Sequence, residues 1–320
     1  MIKKLILLSI LPLALAGCGN KDEVEEEDVR AICPTGAPAL AFYNQGSNPN
    51  FVTSSTPATV AAQLQKIEYD VVVFDSVNGL KSIKANKGEY QLAKVITGGN
   101  FYLVGIGENH KELPKVGDKV VSFGQNLIPD LVYSKLCQDH WKIYNSASYV
   151  NGVQDALAVL KEGKYSGGDV DYVFIAEPAL TSALSDKEAK TYGKINIVKN
   201  IREEWKAYSG QDGLAQAGVF VKKSSLETKK NKLSSYLKEI EEHIDIAINN
   251  PAEAKATMDL FGSLQEQVTR FGFNSNIVSK VQENNRNGFG LVSKTETIDV
   301  NAFLTKLGQD TYSDDYFVNV

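Results

Sequence analysis

The sequence predicts an α/β protein of two lobes, each a mostly parallel sheet flanked by helices, with a helical C-terminal region. Strand-like and helix-like segments alternate from residue 31 to residue 223, which is the pattern of layered α/β folds. Residues 71–74 (VVVF) and 172–175 (YVFI) are uninterrupted apolar runs, typical of strands buried on both faces of a parallel sheet. A chain of 320 residues also suits two domains better than one.

The overall composition is that of a globular protein. Apolar residues make up 43% and charged residues 23% of the chain, which excludes wholesale disorder and a polytopic membrane protein. The formal net charge is −5, and no basic stripe occurs. Because nucleic-acid binders cluster Lys and Arg on one surface, we expect no nucleic-acid partner.

The N-terminal segment predicts export. Lys3 and Lys4 precede an apolar run at 5–16, which is shorter than the roughly 20 residues of a membrane-spanning helix and fits the core of a secretory signal. The run ends in Leu-Ala-Gly-Cys at 15–18, which resembles the lipobox of bacterial lipoproteins. That resemblance implies a signal peptide at 1–17 and acylation of the Cys18 sulfur; the alternative is a plain signal with a chance cysteine.

Residues 18–30 are expected to form a lipidated acidic tether. From residue 19 they read GNKDEVEEEDVR, too charged to bury apolar surface, and we expect them to stay extended in solvent. Acyl chains on Cys18 would contribute about 0.8 kcal/mol of membrane affinity per buried CH₂. We therefore expect an exported protein, lipid-anchored to the outer face of the cell membrane.

The remaining cysteines and the histidines indicate no metal site. Cys33 and Cys137 are far apart in the chain and match no metal-ligand spacing. They form either a disulfide, which export permits, or two small buried apolar side chains. His110, His140 and His243 also lack metal-ligand spacing, so neither a metal nor another cofactor is expected.

Four loops that follow predicted strands are the candidate binding elements. In open parallel sheets, ligands bind beyond the carboxyl ends of the strands. The loops are CPTGAP (33–38), FDSVNG (74–79), FGQNLIPD (123–130) and IAEPALT (175–181). Two lie in each half of the alternating region, so facing loops from two lobes would enclose a cleft.

Several segments, taken in order, resemble one family. They are PTGAPALAF (34–42), DVVVFDSVNGL (70–80), GGNFYLVG (98–105), FGQNLIPDLV (123–132), the span from DALAVLKEGK to IAEPALT (155–181), and EEWKAYSG with AQAGVFV (203–210, 215–221). Behind a lipobox, this series resembles the substrate-binding lipoproteins of ABC transporters that have the type II periplasmic-binding-protein fold. The most similar branch contains binders of thiamine pyrimidine, sulfonates and nitrate.

This resemblance implies a clamshell whose two lobes close on a small ligand. The first lobe is expected to comprise 31–99 plus 222–320, and the second lobe 100–221. The chain is expected to cross near Gly99–Gly107 and to return near Ala217–Lys223. The family also implies a monomer that delivers a small-molecule nutrient to an ABC permease and its ATPase.

The loops also indicate the chemistry of the ligand. Small residues before predicted helix starts offer backbone N–H groups at close approach. None of the four loops contains Arg or Lys, two carry acids, and flanking aromatic rings offer stacking faces. These features favour a ring-bearing nutrient, thiamine-pyrimidine-like or flavin-like. The expected ligand-binding residues are Thr35, Gly36, Ala37, Phe42, Asp75, Ser76, Asn100, Tyr102, Gly124, Gln125, Asn126 and Glu177.

Some of these residues have a simpler structural alternative. Asp75 is placed to cap the helix that follows it, and Glu177 is placed to serve the next helix start. Because side chains alternate along a strand, Asn100 and Tyr102 would share one face and Phe101 the other. We expect the Asn100 face to look into the cleft; the alternative is that residues 98–100 only form a turn before the strand.

Three other functions stay open at this point. An anion binder of the sulfonate or nitrate type would use the same fold, and a surface adhesin or antigen would keep the clamshell as a scaffold. An enzyme would use Asp75 and Glu177 as an acid–base pair. The chain contains no Gly-x-Ser-x-Gly elbow, Walker loop or His-Glu-x-x-His motif, so a non-enzymatic function is expected.

Overall fold

The computed structural model describes residues 26–86, 88–283 and 288–319. The predicted signal peptide, Cys18 and part of the acidic tether lie outside these described residues. Among the described helices, none combines the length and the apolar character needed to cross a membrane.

The strands account for the two predicted sheets. In chain order they are β1 (Ala31–Pro34), β2 (Phe51–Ser54), β3 (Val71–Asp75), β4 (Tyr90–Thr97), β5 (Phe101–Ile106), β6 (Val120–Phe123), β7 (Ala147–Val150), β8 (Lys164–Tyr165), β9 (Gly168–Asp169), β10 (Tyr172–Ala176), β11 (Ile195–Asn200) and β12 (Ala217–Lys222). The first sheet has the order β2-β1-β3-β12-β4, and the second has the order β11-β5-β10-β6-β7. We call each sheet with its covering helices a lobe.

Both sheets mix parallel strands with one reversed strand. In the first sheet β1 runs parallel to β2 and β3, while β12 runs antiparallel to β3 and β4. In the second sheet β6 runs parallel to β7 and β10, while β5 runs antiparallel to β10 and β11. The α/β fold class predicted from the sequence is confirmed.

Helices cover both faces of each sheet. They are α1 (Pro57–Lys66), α2 (Ser76–Ala85), α3 (Ile128–Lys135), α4 (Val153–Glu162), α5 (Ala179–Ser185), α6 (Ile201–Ser209), α7 (Lys223–Thr228), α8 (Lys230–Asn249), α9 (Pro251–Asp259), α10 (Leu264–Phe271), α11 (Ser275–Glu283) and α12 (Val300–Leu307). The segments Ala37–Gln45 and Asp314–Tyr316 are 3₁₀ helices, and a π helix at Leu136–Trp141 continues α3. The run from α7 to α12 is the helical C-terminal region predicted from the sequence.

Strand β3 shows why an uninterrupted apolar run predicts a doubly covered strand. Val71, Val72 and Val73 are all fully buried. Val72 and Phe74 belong to the core under α1 and α2, whereas Val71 and Val73 belong to a second core under α8 and the first 3₁₀ helix. Since neighbouring side chains point to opposite faces, both faces of the sheet need apolar residues.

The chain passes between the lobes through two segments near the cleft. Residues 98–100 join β4 to β5, and residues 210–216 lead from α6 to β12. Because β12 pairs with β3 and β4, it belongs to the first lobe. The border expected at residue 221 placed this strand in the second lobe. The sequence did not reveal the pairing, because β3 and β4 lie more than a hundred residues before β12.

The C-terminal segment passes between the lobes again. Leu291 pairs with Thr97 in the first sheet. The α12 helix then lies on the second lobe, where the ring of Phe303 is 5.2 Å from that of Trp205. The chain returns to β4, where the backbone N–H of Val318 donates to the carbonyl of Leu92 at 3.0 Å. Residues 222–320 therefore do not all pack on the first lobe.

The two cysteines of the body are buried free thiols. Cys33 lies in β1, and Cys137 lies in the π helix of the second lobe. The sequence left open a disulfide or two small buried side chains, and in the structure Cys33 and Cys137 are two separate buried side chains.

Candidate ligand-binding site

A cavity of about 130 Å³ lies where the two lobes meet. Its walls come from the carboxyl ends of parallel strands in both sheets, as expected for open α/β folds. The first lobe contributes the residues after β1, β2 and β3, and the second lobe those after β6, β7 and β10. The two connecting segments close one side through Asn100 and Gln216. All four loops singled out in the sequence reach this cavity.

Seven of the twelve predicted ligand-binding residues line the cavity. They are Thr35, Gly36, Ala37, Asp75, Asn100, Gly124 and Glu177. The structure therefore brings together residues from four separate loops and one connecting segment. Their contact with a ligand remains a prediction.

The other five predicted residues lie elsewhere. Phe42 is buried in the first lobe, with its ring stacked 4.9 Å from that of Phe51. The buried Ser76 hydroxyl donates to the carbonyl of Ala215. Gln125 and Asn126 are exposed and do not line the cavity, although Gly124 before them and Leu127 after them do.

Tyr102 is the fifth residue outside the cavity. It lies buried in β5, while Asn100 and Phe101 both line the cavity. Strand alternation had predicted opposite faces for these two neighbours. Because β5 begins only at Phe101, Asn100 belongs to the connecting segment and the alternation does not extend to it.

The Asp75 carboxylate contacts both lobes. Its Oδ1 accepts hydrogen bonds from the backbone N–H of Asn78 at 2.9 Å and from Asn78 Nδ2 at 3.2 Å. Its Oδ2 accepts the backbone N–H of Ile128, the first residue of α3, at 2.6 Å. Burial raises the pKa of this carboxyl, against the lowering effect of these hydrogen bonds. Asp75 thus caps α2, as the structural alternative predicted, and also binds the start of a helix in the other lobe.

The Glu177 carboxylate serves the helix that follows it. It accepts the backbone N–H of Thr181 at 3.0 Å through one oxygen and the Thr181 hydroxyl at 2.9 Å through the other. The side chain is almost fully buried. Glu177 therefore contributes an acidic wall to the cavity while it stabilises the first turn of α5.

Asn100 connects three parts of the site. Its Nδ2 donates to the carbonyl of Glu177 at 2.7 Å, and its own carbonyl accepts the N–H of Glu177 at 2.9 Å. Its Oδ1 accepts Gln216 Nε2 at 2.9 Å. These bonds fix the orientation of the Gln216 amide, whose Oε1 is buried and has no partner among the described residues. The site therefore holds an acceptor that a donor group can satisfy.

Aromatic side chains form the apolar walls of the cavity. Phe74, Phe101 and Phe123 line it, and the rings of Phe101 and Phe123 meet edge to face at 6.0 Å. Among the described lining residues there is no Arg or Lys. The arrangement offers flat apolar faces and hydrogen-bond acceptors, which suits a ring with donor groups.

Sequence reasoning missed three contributions to the cavity. Ser54 and Ser55 follow β2, Gly152 and Val153 follow β7, and Gln216 precedes β12. The first two pairs obey the same strand-end rule as the four recognised loops, so the rule would have found them. Gln216 carried no local signal, because its position depends on the pairing of β12.

A group of possible metal ligands lies away from the cavity, at the opposite end of β10. The ligand atoms of His110, Asp118 and Asp171 lie within 4.8 Å of one another. His110 Nδ1 is 2.6 Å from the carbonyl of Ile106, and Nε2 is 3.4 Å from Asp171. The grouping arises from folding, so sequence spacing gave no sign of it.

No protein-family model and no curated sequence matches the chain, whereas solved structures match its fold. An ABC transporter from Parabacteroides distasonis has a TM-score of 0.65 at 15% identity, covering 91% of this chain and 99% of that one. The periplasmic aliphatic sulphonate binding protein of Escherichia coli has a TM-score of 0.61 at 11% identity, covering 88% and 91%. A Candida albicans protein with the generic periplasmic binding protein fold scores 0.57 at 9% identity, covering 91% and 93%. The chain therefore has the periplasmic-binding-protein fold, as the sequence resemblance implied.

Proposed function

We propose that this protein is an extracytoplasmic solute-binding lipoprotein of an ABC importer. In this proposal it captures a small ring-bearing nutrient between its lobes and delivers it to a permease powered by an ATPase. The observation that carries the proposal is the cavity between the lobes, with aromatic walls, two carboxylates and no cationic side chain among its described lining residues. Such a site favours neutral or protonated rings over anions.

The size of the cavity favours a single ring. Its volume of about 130 Å³ is close to the roughly 150 Å³ of an engineered cavity that binds benzene. An aminopyrimidine fits this size, and its amino group can donate to Gln216 Oε1. The three fused rings of a flavin would need wider lobe separation, so a thiamine-pyrimidine-like compound is the preferred ligand.

An anion binder of the sulfonate type is the second candidate. It is favoured by the helix starts that converge on the cavity, because α1 to α5 all begin beside it and helix N-termini attract anions. Against it, the carboxylates of Asp75 and Glu177 already accept N–H groups at the starts of α2, α3 and α5.

Calorimetry with the detergent-solubilised full-length protein tests the ligand class. An aminopyrimidine, riboflavin, taurine and nitrate would be titrated in turn, and native mass spectrometry would identify any co-purified compound. We expect binding of the aminopyrimidine, weakened by Phe101→Leu. Binding of taurine or nitrate with indifference to rings would contradict the proposal. Turnover of a bound compound would favour an enzyme, and binding of a host macromolecule without solute capture would favour an adhesin.

The membrane anchor is a separate part of the proposal. It rests on the lipobox-like residues 15–18 and the acidic segment that follows. We expect labelled palmitate to be incorporated into the native chain but not into a Cys18→Ser variant. Incorporation into both chains would contradict Cys18 as the anchor, and release of both chains into the medium would contradict lipid anchoring.

A further inference from the structure

The Asp75 carboxylate lies between the starts of two helices that belong to different lobes. The α2 helix has ten residues and follows Asp75 in the first lobe. The α3 helix has eight residues and begins at Ile128 in the second lobe. One carboxylate oxygen binds the N–H of Asn78, and the other binds the N–H of Ile128, at 2.9 and 2.6 Å. The same side chain therefore satisfies a free donor in the first turn of each helix.

Helix starts in a cleft would otherwise attract an external anion. The first turn of a helix carries a partial positive charge and exposed N–H donors, which together bind carboxylate, sulfonate or phosphate groups. In a two-lobed protein, an anion held by one helix start from each lobe would also pull the lobes together. Asp75 supplies such an anion from the chain itself.

We infer that Asp75 is a built-in anion that holds the lobes closed and excludes anionic ligands from the cavity. This inference rests on the proposed function, because it assumes that the cavity receives solutes. It deepens that proposal by assigning selectivity against anions to one residue. An anion in the cavity would meet the charges of Asp75 and Glu177 and find the starts of α2 and α3 already occupied.

A neighbouring contact supports this role. Asn78, which donates two hydrogen bonds to Asp75, also donates through Nδ2 to the carbonyl of Asn126 in the second lobe at 3.0 Å. The α2 start is thus tied to the segment before α3 at two adjacent points. Because charge-assisted hydrogen bonds are about twice as strong as neutral ones, the Asp75–Ile128 bond is expected to be the dominant one.

The test measures lobe separation without any ligand. Spin labels would be attached through Lys66→Cys in α1 and Lys187→Cys after α5, both exposed positions on different lobes. The native Cys33 and Cys137 are buried and should not be labelled, and Cys18 would be replaced by serine in every labelled chain. The full-length chain in detergent would be compared with Asp75→Ala. We expect the variant to shift to longer label distances and acetate to restore the shorter ones, because acetate can fill the vacated carboxylate position.

A backbone variant tests the same bond from the other side. Ile128→Pro removes the N–H that binds Asp75, and proline is tolerated at the first position of a helix. Ile128→Ala is the matched control, since it truncates the same buried side chain and keeps the N–H. We expect opening in the proline variant and closure in the alanine variant. Equal distances in both would overturn the inference, and they would do so even if Asp75→Ala failed to fold.

Anion binding gives a second readout. Ethanesulfonate should bind Asp75→Ala about tenfold or more tightly than the native chain, while glycerol binds neither. Lobes that stay closed in Asp75→Ala, or that open and are not restored by acetate, would overturn the inference. These results are independent of the nutrient. If no ring compound binds the native protein, the proposed function fails. The spin-label distances then still test whether Asp75 holds the lobes closed.

Discussion

Gln216 Nε2 donates a hydrogen bond to Asn100 Oδ1 at 2.9 Å, which joins the two segments that connect the lobes beside the cavity. Asn100 also binds the backbone of Glu177 in both directions. A single amide therefore couples both connections to the acidic wall of the second lobe. Motion of either connection would be transmitted to the ligand position through this residue.

Asn100→Ala should weaken both folding and ligand binding. The variant leaves Gln216 Nε2 and the Glu177 carbonyl without this partner, which costs about 1–3 kcal/mol of unfolding free energy when such groups are buried. Ligand affinity should fall because Gln216 loses its fixed orientation. Denaturant unfolding and calorimetry measure the two effects.

A half-buried asparagine outside the cavity provides the control for this variant. Asn145 Nδ2 also makes two hydrogen bonds, to the carbonyls of Lys115 and Asp118 at 3.0 and 3.1 Å, but it lies away from the cavity. Asn145→Ala should lower stability without changing affinity. Equal affinity losses in both variants would argue against a specific role for Asn100.

Asp70 should make the stability of the first lobe depend on pH. Burial raises the pKa of Asp70, whereas hydrogen bonds from the Arg30 N–H, the Ser225 hydroxyl and Lys229 lower it. The lowering effects together outweigh burial, so the pKa of Asp70 lies below its usual value. A carboxyl with a depressed folded pKa stabilises the fold above its unfolded pKa, and this contribution disappears as pH falls through the folded pKa.

Asp70→Asn should therefore destabilise the protein at pH 7 and have little effect at low pH. We expect a loss of about 3 kcal/mol of unfolding free energy at neutral pH, since a buried charge pair loses one member. The difference from the native chain should shrink below about pH 4. Urea unfolding across this range is the measurement, with Asp186→Asn as the control. Asp186 pairs with Lys161 at 2.9 Å, with 31% of each side chain exposed, so its loss should be under about 1 kcal/mol.

Gly79 should resist replacement although it lies in a helix. A Cβ at this position of α2 would come within 2.2 Å of the Phe220 ring. Alanine improves helix propensity by about 1 kcal/mol, but overpacking a buried ring costs about 1–3 kcal/mol, so Gly79→Ala should destabilise. The double variant with Phe220→Leu should recover part of the loss. If Gly79→Ala proved more stable than the native chain in thermal unfolding, the close packing of Phe220 against Gly79 would be contradicted.

The body thiols should be unreactive in the folded protein. Burial raises the pKa of Cys137 to about 11 and also raises the pKa of Cys33, and only the thiolate is nucleophilic. Iodoacetamide at pH 8 should leave both unmodified in the native state and should alkylate both in urea without a reductant. Mass spectrometry distinguishes this result from a disulfide, which would need reduction before any alkylation.

Much of the fold follows from local pattern. The runs at β3 and β10 were recognisable because a doubly covered strand needs apolar residues on both faces. The loops after β1, β3, β6 and β10 were located by the strand-end rule, and each of them reaches the cavity. Local chemistry and sheet geometry are enough for these elements.

The remaining features depend on long-range packing. Phe42 was expected at the ligand, but the 3₁₀ helix that carries it turns the ring onto Phe51 in the core. The lobe of β12 is decided by partners more than a hundred residues earlier in the chain. The contact between Asp75 and Ile128 forms only when the two lobes meet, so a short stretch of sequence around either residue could not predict it.

The two C-terminal passages of the chain restrict how far the lobes can separate. Two adjacent connections alone would let the lobes swing and also twist about one another. The C-terminal segment is fixed to Trp205 on one side and to Leu92 on the other, so a wide swing must strain it or detach one of its ends. We therefore expect wide separation of the lobes to require detachment of this segment, and truncation before α12 to remove the restraint.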